Sequence, residues 1–163
     1  MTYYAQYPSP IGDLILLSEG SFLTALKPAA FLPPEPGWIH RPELPIFIQV
    51  RNWLDAYFRG QPQDPRGILL SPAGTAFQRR VWDLLLQIPW GQVRTYGDIA
   101  REISPNMSPQ AVGGAVGRNP IAILIPCHRV LGSGNALTGY AWGLERKVRL
   151  LNHEGHHFQG GSL

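Results

Sequence analysis

Cysteine is nearly missing from this sequence: Cys127 is the only one in 163 residues. One thiol excludes an internal disulfide framework and fits a reducing compartment. No run approaches the roughly 20 apolar residues that a membrane-spanning helix needs, and the first residues, among them Tyr3, Tyr4, Gln6 and Pro8, lack the basic and apolar blocks of a signal peptide. A cytoplasmic protein that stays off the membrane is therefore expected. Metal ligands are scarce as well. A structural zinc site draws on several cysteines, and beside Cys127 the sequence offers only His40, His128, His153, His156 and His157. Neither a metal nor another cofactor is expected. A strong charge of one sign is also lacking, since the formal net charge is +3.

What is present suffices for a folded core. With 44% apolar residues and 10% aromatics the chain has the length and composition of one domain or two small lobes. The small positive charge is unevenly spread: residues 1–70 carry five Lys or Arg against six Asp or Glu, and residues 71–163 carry nine against five. Twelve of the fourteen cations are arginines, whose planar fork suits phosphate. An ordinary solvated surface carries a surplus of the same size, so charge makes nucleic acid a candidate partner and no more.

Residues 2–8, 14–17 and 22–26 read as strands, parted by turns at Ser9-Pro10-Ile11-Gly12 and Glu19-Gly20, and so predict an antiparallel meander. Residues 29–45 are rich in proline and read as a surface connection. Ile46, Val50, Trp53, Leu54, Tyr57 and Phe58 then recur on one face of a helix that stops at Gly60, a stripe that should cover the sheet. Aromatics at helical spacing are read as core rather than as a cofactor box, and residues 1–70 show no chemistry of their own. The stretch Gly60 to Gly74, with Pro62, Pro65 and Pro72, is the expected boundary between a structural lobe over residues 1–70 and a second lobe over residues 71–163.

In the second lobe, Thr75-Ala76-Phe77-Gln78 is a capping-box signature, and Phe77, Val81, Leu84, Leu85 and Ile88 follow at helical spacing until Pro89. A short helix from Thr95 turns Ile99, Ala100 and Ile103 inward. The next has Ser108 as N-cap and Pro109 at its first position, and runs from Gln110 to about Gly117. Together they predict a helix-turn-helix. Its second helix is odd, because Ala111, Gly113, Gly114 and Ala115 are all small and each interior glycine costs about 1 kcal/mol relative to alanine. Close packing against another helix and close approach to DNA account for this equally well. A last helix from about Leu144 turns Val148 and Leu151 inward and ends at Glu154-Gly155. Glu145 lies in its first turn, where the helix dipole favours a carboxylate; an exposed surface glutamate is the simplest account of it.

Cys127 itself lies in Ile125-Pro126-Cys127-His128-Arg129-Val130, at the end of the apolar run Ile121-Ala122-Ile123-Leu124-Ile125. A cysteine there is either a small buried hydrophobe or a nucleophile whose thiolate a basic neighbour generates. Neighbours on an extended chain face opposite ways, so Cys127 and His128 cooperate only across a turn or through a water. Pro126 favours such a turn.

The segment Pro126-Cys127-His128-Arg129-Val130, preceded by Gly117-Arg118-Asn119-Pro120 and followed by Thr138-Gly139-Tyr140 and Gly143-Leu144-Glu145-Arg146-Lys147, resembles the O6-alkylguanine-DNA alkyltransferases, also called methylated-DNA–protein-cysteine methyltransferases. The likeness runs from about Gly74 to Gly155 and continues more weakly through the N-terminal half. It implies an α+β fold: a small N-terminal antiparallel sheet with a helix, ribonuclease H-like, then a mostly helical lobe with a winged-helix-like helix-turn-helix. The activity implied is DNA repair by single, stoichiometric transfer of the alkyl group from O6-alkylguanine, and from O4-alkylthymine, in double-stranded DNA to the cysteine. The implied protein works as a monomer on DNA of the nucleoid, without cofactor.

Residue by residue, the resemblance makes Cys127 the alkyl acceptor, His128 the base that acts on it through a water, and Glu145 the carboxylate that orients His128. It makes Tyr96 a helper in rotating the nucleotide and a hydrogen-bond donor to the departing base. Gln110, Ala111, Gly113, Gly114, Ala115 and Arg118 fall on the helix that enters the minor groove, and Asn119 ties that helix to the active-site loop. The base pocket would be the Val130 backbone carbonyl, the Tyr140 ring and the backbone around Ala141, with Trp142 beside it. Two positions depart from the family pattern: Gln110 stands where arginine is usual, which bears on repair of duplex, and Trp142 stands where a smaller residue is common, which bears on alkyl size. Three other readings compete: a DNA-binding relative without the reaction, a helix-turn-helix regulator, and a cysteine hydrolase or redox enzyme. The presence of Cys127, the small residues of the second helix and single use of the thiol separate them.

Overall fold

Alternating burial builds the first sheet. Strand β1 (Tyr3–Ser9) turns Ala5 and Tyr7 inward, while β2 (Gly12–Ser18), paired on both edges, is buried from Leu14 to Ser18. The two are antiparallel, with Tyr3 opposite Ser18 and Ser9 opposite Gly12. Gly12 takes a positive φ of 109° at the hairpin, where a side chain would be strained. Strand β3 (Leu23–Pro28) pairs antiparallel with the other edge of β2, and the strand order is β3-β2-β1-β4. The fourth strand, β4 (Ile39–His40), comes from the proline-rich connection and lies parallel to β1. Two residues are too short to show a period, which is why that segment reads as coil.

Helix α1 (Pro45–Phe58) starts on a proline at its first position, where the missing N–H has no intrahelical partner anyway. It buries Ile46, Phe47, Val50, Trp53, Leu54 and Tyr57, and its Asp55 accepts a 2.7 Å hydrogen bond from Tyr7 of β1. The stripe seen in the sequence does cover the sheet.

The structure, a computed structural model, describes residues 1–159. The chain divides into one unit made of Met1–Ala73 with Pro120–Leu124, and a second made of Gly74–Asn119 with the residues from Ile125 onward. Most of the apolar run, up to Leu124, thus belongs to the first unit: Leu26 N donates to Pro120 O at 2.9 Å and Ala122 N to Leu26 O at 3.0 Å. Within it, Ile123 has φ 69°, a left-handed conformation that is rare for a β-branched residue.

The second unit opens with α2 (Ala76–Leu85), whose capping box is formed as expected: Gln78 N donates to Thr75 Oγ1 and Thr75 N donates to Gln78 Oε1. A short strand, β5 (Arg94–Thr95), leads into α3 (Tyr96–Ile103), capped by Thr95 and Asp98. Ser108 caps α4 (Pro109–Gly117), accepting from Ala111 N at 3.1 Å. β6 (Val130–Leu131) pairs parallel with β5, and α5 (Leu144–His153) follows. Trp82 of α2, 1% exposed, donates its indole N–H to Ala115 O of α4 at 2.9 Å, which fixes α4 on its inner face.

The ring of Trp82 is so close to Gly74 that a Cβ there would lie 2.5 Å from it, whereas a Cβ at Gly114 on α4 meets nothing within 4 Å. Gly74→Ala is therefore expected to destabilise by about 1–3 kcal/mol through overpacking, and Gly114→Ala to stabilise by about 0.5–1 kcal/mol through helix propensity. Urea unfolding midpoints of the two variants should move in opposite directions; a shared direction would contradict the packing described.

Candidate active site

The turn favoured by Pro126 is formed. Residues Cys127–Arg129 make one turn of 3-10 helix, with Cys127 N donating to Ile125 O at 2.7 Å and Arg129 N to Pro126 O at 3.0 Å. It turns three chemically active side chains inward at once: Cys127, His128 and Arg129 are 5%, 0% and 3% exposed.

Behind the thiol lies an ion cluster at the C-terminal end of α5. His128 Nε2 is 2.7 Å from Glu154 Oε2. Arg129 grips the same carboxylate, Nε donating to Oε1 at 2.7 Å and Nη2 to Oε2 at 3.0 Å, while its Nη1 donates to Ile88 O. Burial alone would raise the Glu154 carboxyl, but His128 and Arg129 outweigh it and hold the group well below the usual carboxylate range. Burial pushes the His128 imidazole below its ordinary value, against the pull of Glu154. The resting cluster is therefore Glu154 ionised, Arg129 cationic and His128 neutral. An ionised carboxylate only accepts, so the proton between them sits on His128 Nε2 and leaves the lone pair on Nδ1. That Nδ1 is buried and has no hydrogen-bond partner among the described residues.

This corrects the expected orienting carboxylate. Glu145 is exposed in the first turn of α5 and makes no bond to His128; Glu154, just past the last turn, holds the ring. The resemblance, and not the residues themselves, supplied Glu145, which on its own reads as an exposed surface glutamate. Glu154 sits at the end of α5 where the dipole opposes a carboxylate, and Arg129 and His128 offset this.

In front of the thiol is a cavity of about 270 Å³, reached by Cys127 and walled by Tyr96 of α3, Gly113, Val116 and Gly117 of α4, Asn119, and Gly139 to Trp142 of the following loop. Cys127 Sγ is 3.7 Å from Tyr140 Oη, and the Tyr140 and Trp142 rings meet edge to face at 5.4 Å. Burial pushes the thiol pKa up; hydrogen bonds from Asn119 and Tyr140 and the charge of Lys147 pull it back. Asn119 also donates Nδ2 to Ile125 O at 2.8 Å, so it joins the end of α4 to the turn that carries Cys127.

The expected site residues sort as follows. Cys127, Tyr96, Gly113, Asn119, Tyr140, Ala141 and Trp142 share the cavity. Ala111, Gly114 and Arg118 are exposed on α4, and Gln110 opens on a neighbouring recess with Arg101 and Ser133. Packing does not explain the small residues, because a Cβ at Gly113 would make only an ordinary 3.8 Å contact with Tyr96 and one at Gly114 none. Ala115 is a correction: it is 3% exposed under Trp82 and does not belong to the outer face. The Val130 side chain is fully buried in β6, opposite Arg94; the group expected in the base pocket is its backbone carbonyl, not this side chain. Arg129 and Lys147 were missed, since both look like surface cations in the sequence and only burial distinguishes them.

With that geometry in view, two sequence families match. One, described as the 6-O-methylguanine DNA methyltransferase DNA binding domain, covers residues 76–156, and the other, its ribonuclease-like domain, covers residues 2–72. The chain is 45% identical over 153 residues to a methylated-DNA–protein-cysteine methyltransferase of Haemophilus influenzae, spanning 93% of this chain and 86% of that one. It is also 45% identical to the protein of that name from Mycobacterium leprae, over 96% of this chain and 94% of that one. A crystal structure of Mycobacterium tuberculosis OGT in complex with DNA superposes with a TM-score of 0.84 at 43% identity, over 93% of this chain and 92% of that one. Both halves of the molecule, the N-terminal sheet with its helix and the lobe that buries Cys127, thus place this chain in the 6-O-methylguanine DNA methyltransferase family.

Proposed function

We propose that this protein repairs double-stranded DNA by taking the alkyl group from O6-alkylguanine, and from O4-alkylthymine, onto Cys127 in a single irreversible event. The observation that carries this reading is a sole thiol, buried between a cavity and a proton acceptor. The cavity, about 270 Å³, is at the small end of the range for ligand sites, a size suited to one base. A base paired in a duplex cannot enter it. The nucleotide rotates out, at a cost of a few kcal/mol in lost stacking, while the small outer residues Ala111, Gly113 and Gly114 let α4 approach the minor groove closely. Gln110 and Arg118, at opposite ends of α4, flank that approach, and the shorter, neutral Gln110 makes extrusion from duplex harder than an arginine would.

In the reaction, the thiol proton passes through a water to His128 Nδ1. The Sγ–carbon bond forms as the carbon–O6 bond breaks, and the electron pair of that bond stays with guanine. Tyr96 donates a hydrogen bond to the departing base, and the proton lost by sulfur ends on guanine. Glu154 holds the imidazole in place and stabilises the imidazolium that forms, the part an orienter plays in any nucleophile–base–orienter set. Because a thioether has no route back to thiol, each molecule acts once, as a monomer, on nucleoid DNA in the cytoplasm.

Incubation with duplex carrying O6-methylguanine should add the mass of one CH2 to the intact protein, located by peptide mapping at Cys127, with one lesion removed per molecule. Continued turnover, or methylation of Cys127→Ala, would contradict the reading. In single-turnover assays Glu154→Gln should slow transfer about 100-fold or more with little loss of DNA affinity, and Glu145→Gln should change neither. A slow Glu145→Gln beside a normal Glu154→Gln would reverse the assignment of the orienting carboxylate.

A further inference from the structure

Lys147, on α5, is 0% exposed. A buried ammonium is so poorly solvated that it normally finds a carboxylate or gives up its proton. Lys147 has no carboxylate partner among the described residues. Its Nζ donates to Thr138 O at 3.4 Å, the outer limit of a hydrogen bond, and lies 5.9 Å from the centre of the Tyr96 ring. Three ammonium donors are poorly served by one distant carbonyl and an aromatic face. None of the ion pairs among the described residues includes Lys147. On its own helix Glu145 is exposed, and Glu154 just past the end is held by His128 and Arg129.

Lys147 Nζ faces the ring of Tyr96, which walls the same cavity as Cys127, and Cys127 and His128 of the 3-10 turn both feel its charge. We propose that Lys147 is the built-in counter-charge of the Cys127 thiolate, favouring the anion that forms when His128 takes the proton and losing that partner once the sulfur is alkylated. His128 takes the proton away; Lys147 makes the remaining charge tolerable in a buried place. Burial pushes the Lys147 ammonium down to about 8 while Cys127 pulls it up, so the two charges are coupled: the ammonium favours the thiolate, and the thiolate favours the ammonium. Alkylation leaves a neutral thioether beside an ammonium with no partner, and the spent protein carries a destabilised site. The proposal rests on the function above only for what consumes the thiolate; the pairing itself stands apart from it.

The chain has two lysines, Lys27 and Lys147, and one cysteine, so both titrations can be assigned without ambiguity. In full-length protein with 13C-labelled lysine, the Lys147 midpoint should fall by at least one pH unit after Cys127 is blocked with methyl methanethiosulfonate, while Lys27 does not move. This blocking needs no DNA, so it decides the pairing even if alkyl transfer from DNA fails. In Lys147→Met the pH midpoint for iodoacetamide reaction at Cys127 should rise by at least one unit, about a tenfold loss of thiolate at neutral pH. Lys147→Arg should bring it back, with affinity for undamaged duplex unchanged in both. An unmoved Lys147 midpoint on blocking, or an unmoved Cys127 profile in a folded Lys147→Met, overturns the proposal; if Lys147→Met does not fold, the lysine titration decides alone.

Discussion

The carboxylate of Glu154 is shared by a neutral imidazole and a guanidinium, all three out of water, and the rest of the site depends on that sharing. An ion pair in such a place contributes little net stability, because desolvation cancels most of the attraction, yet removing one member costs about 3–5 kcal/mol. The cluster is therefore better understood as a device for geometry. It draws the 3-10 turn of Cys127–Arg129 onto the end of α5 and, through Arg129 Nη1, onto Ile88 O beyond α2. With His128 and Arg129 pulled to the rear, the first residue of the same turn is left facing the cavity.

The front of the site is set by a different kind of contact. Trp82 holds α4 from within, and Asn119 ties the end of α4 to Ile125 O while also polarising the thiol. The helix that carries the small outer residues and the loop that carries the nucleophile are thus one mechanical piece. Gly113, Val116 and Gly117 of α4 form part of the wall of the Cys127 cavity, so under the proposed function the helix that meets DNA also borders the site of the chemistry.

Much of this was legible in the sequence. Period-two and period-3.6 patterns located β1 to β3 and α1 to α5, and cap residues such as Thr75, Thr95 and Ser108 fixed where helices begin. The lone cysteine followed by histidine marked the reacting atom. Features that rest on distant pairing were not legible. The parallel strand β4 and the return of Pro120–Leu124 to β3 depend on partners far along the chain. Glu145 came from the resemblance, and Glu154 drew no notice because only tertiary cations make a carboxylate habitable at a helix end. Lys147 and Arg129 were taken for surface charges for the same reason: sequence periodicity marks where apolar residues go, and a cation is buried only when a partner elsewhere offsets it.

The central claim is that burial keeps His128 neutral while Glu154 fixes its proton on Nε2, leaving the lone pair on Nδ1, on the side free to take a proton from the thiol. 15N-labelled histidine in the unreacted protein reports this directly, because the two ring nitrogens differ widely in shift between the tautomers and the imidazolium. The account predicts that at neutral pH the His128 signals are those of the Nε2–H tautomer and stay so as the pH falls below the ordinary histidine range. An Nδ1–H tautomer, or an imidazolium at neutral pH, would contradict it.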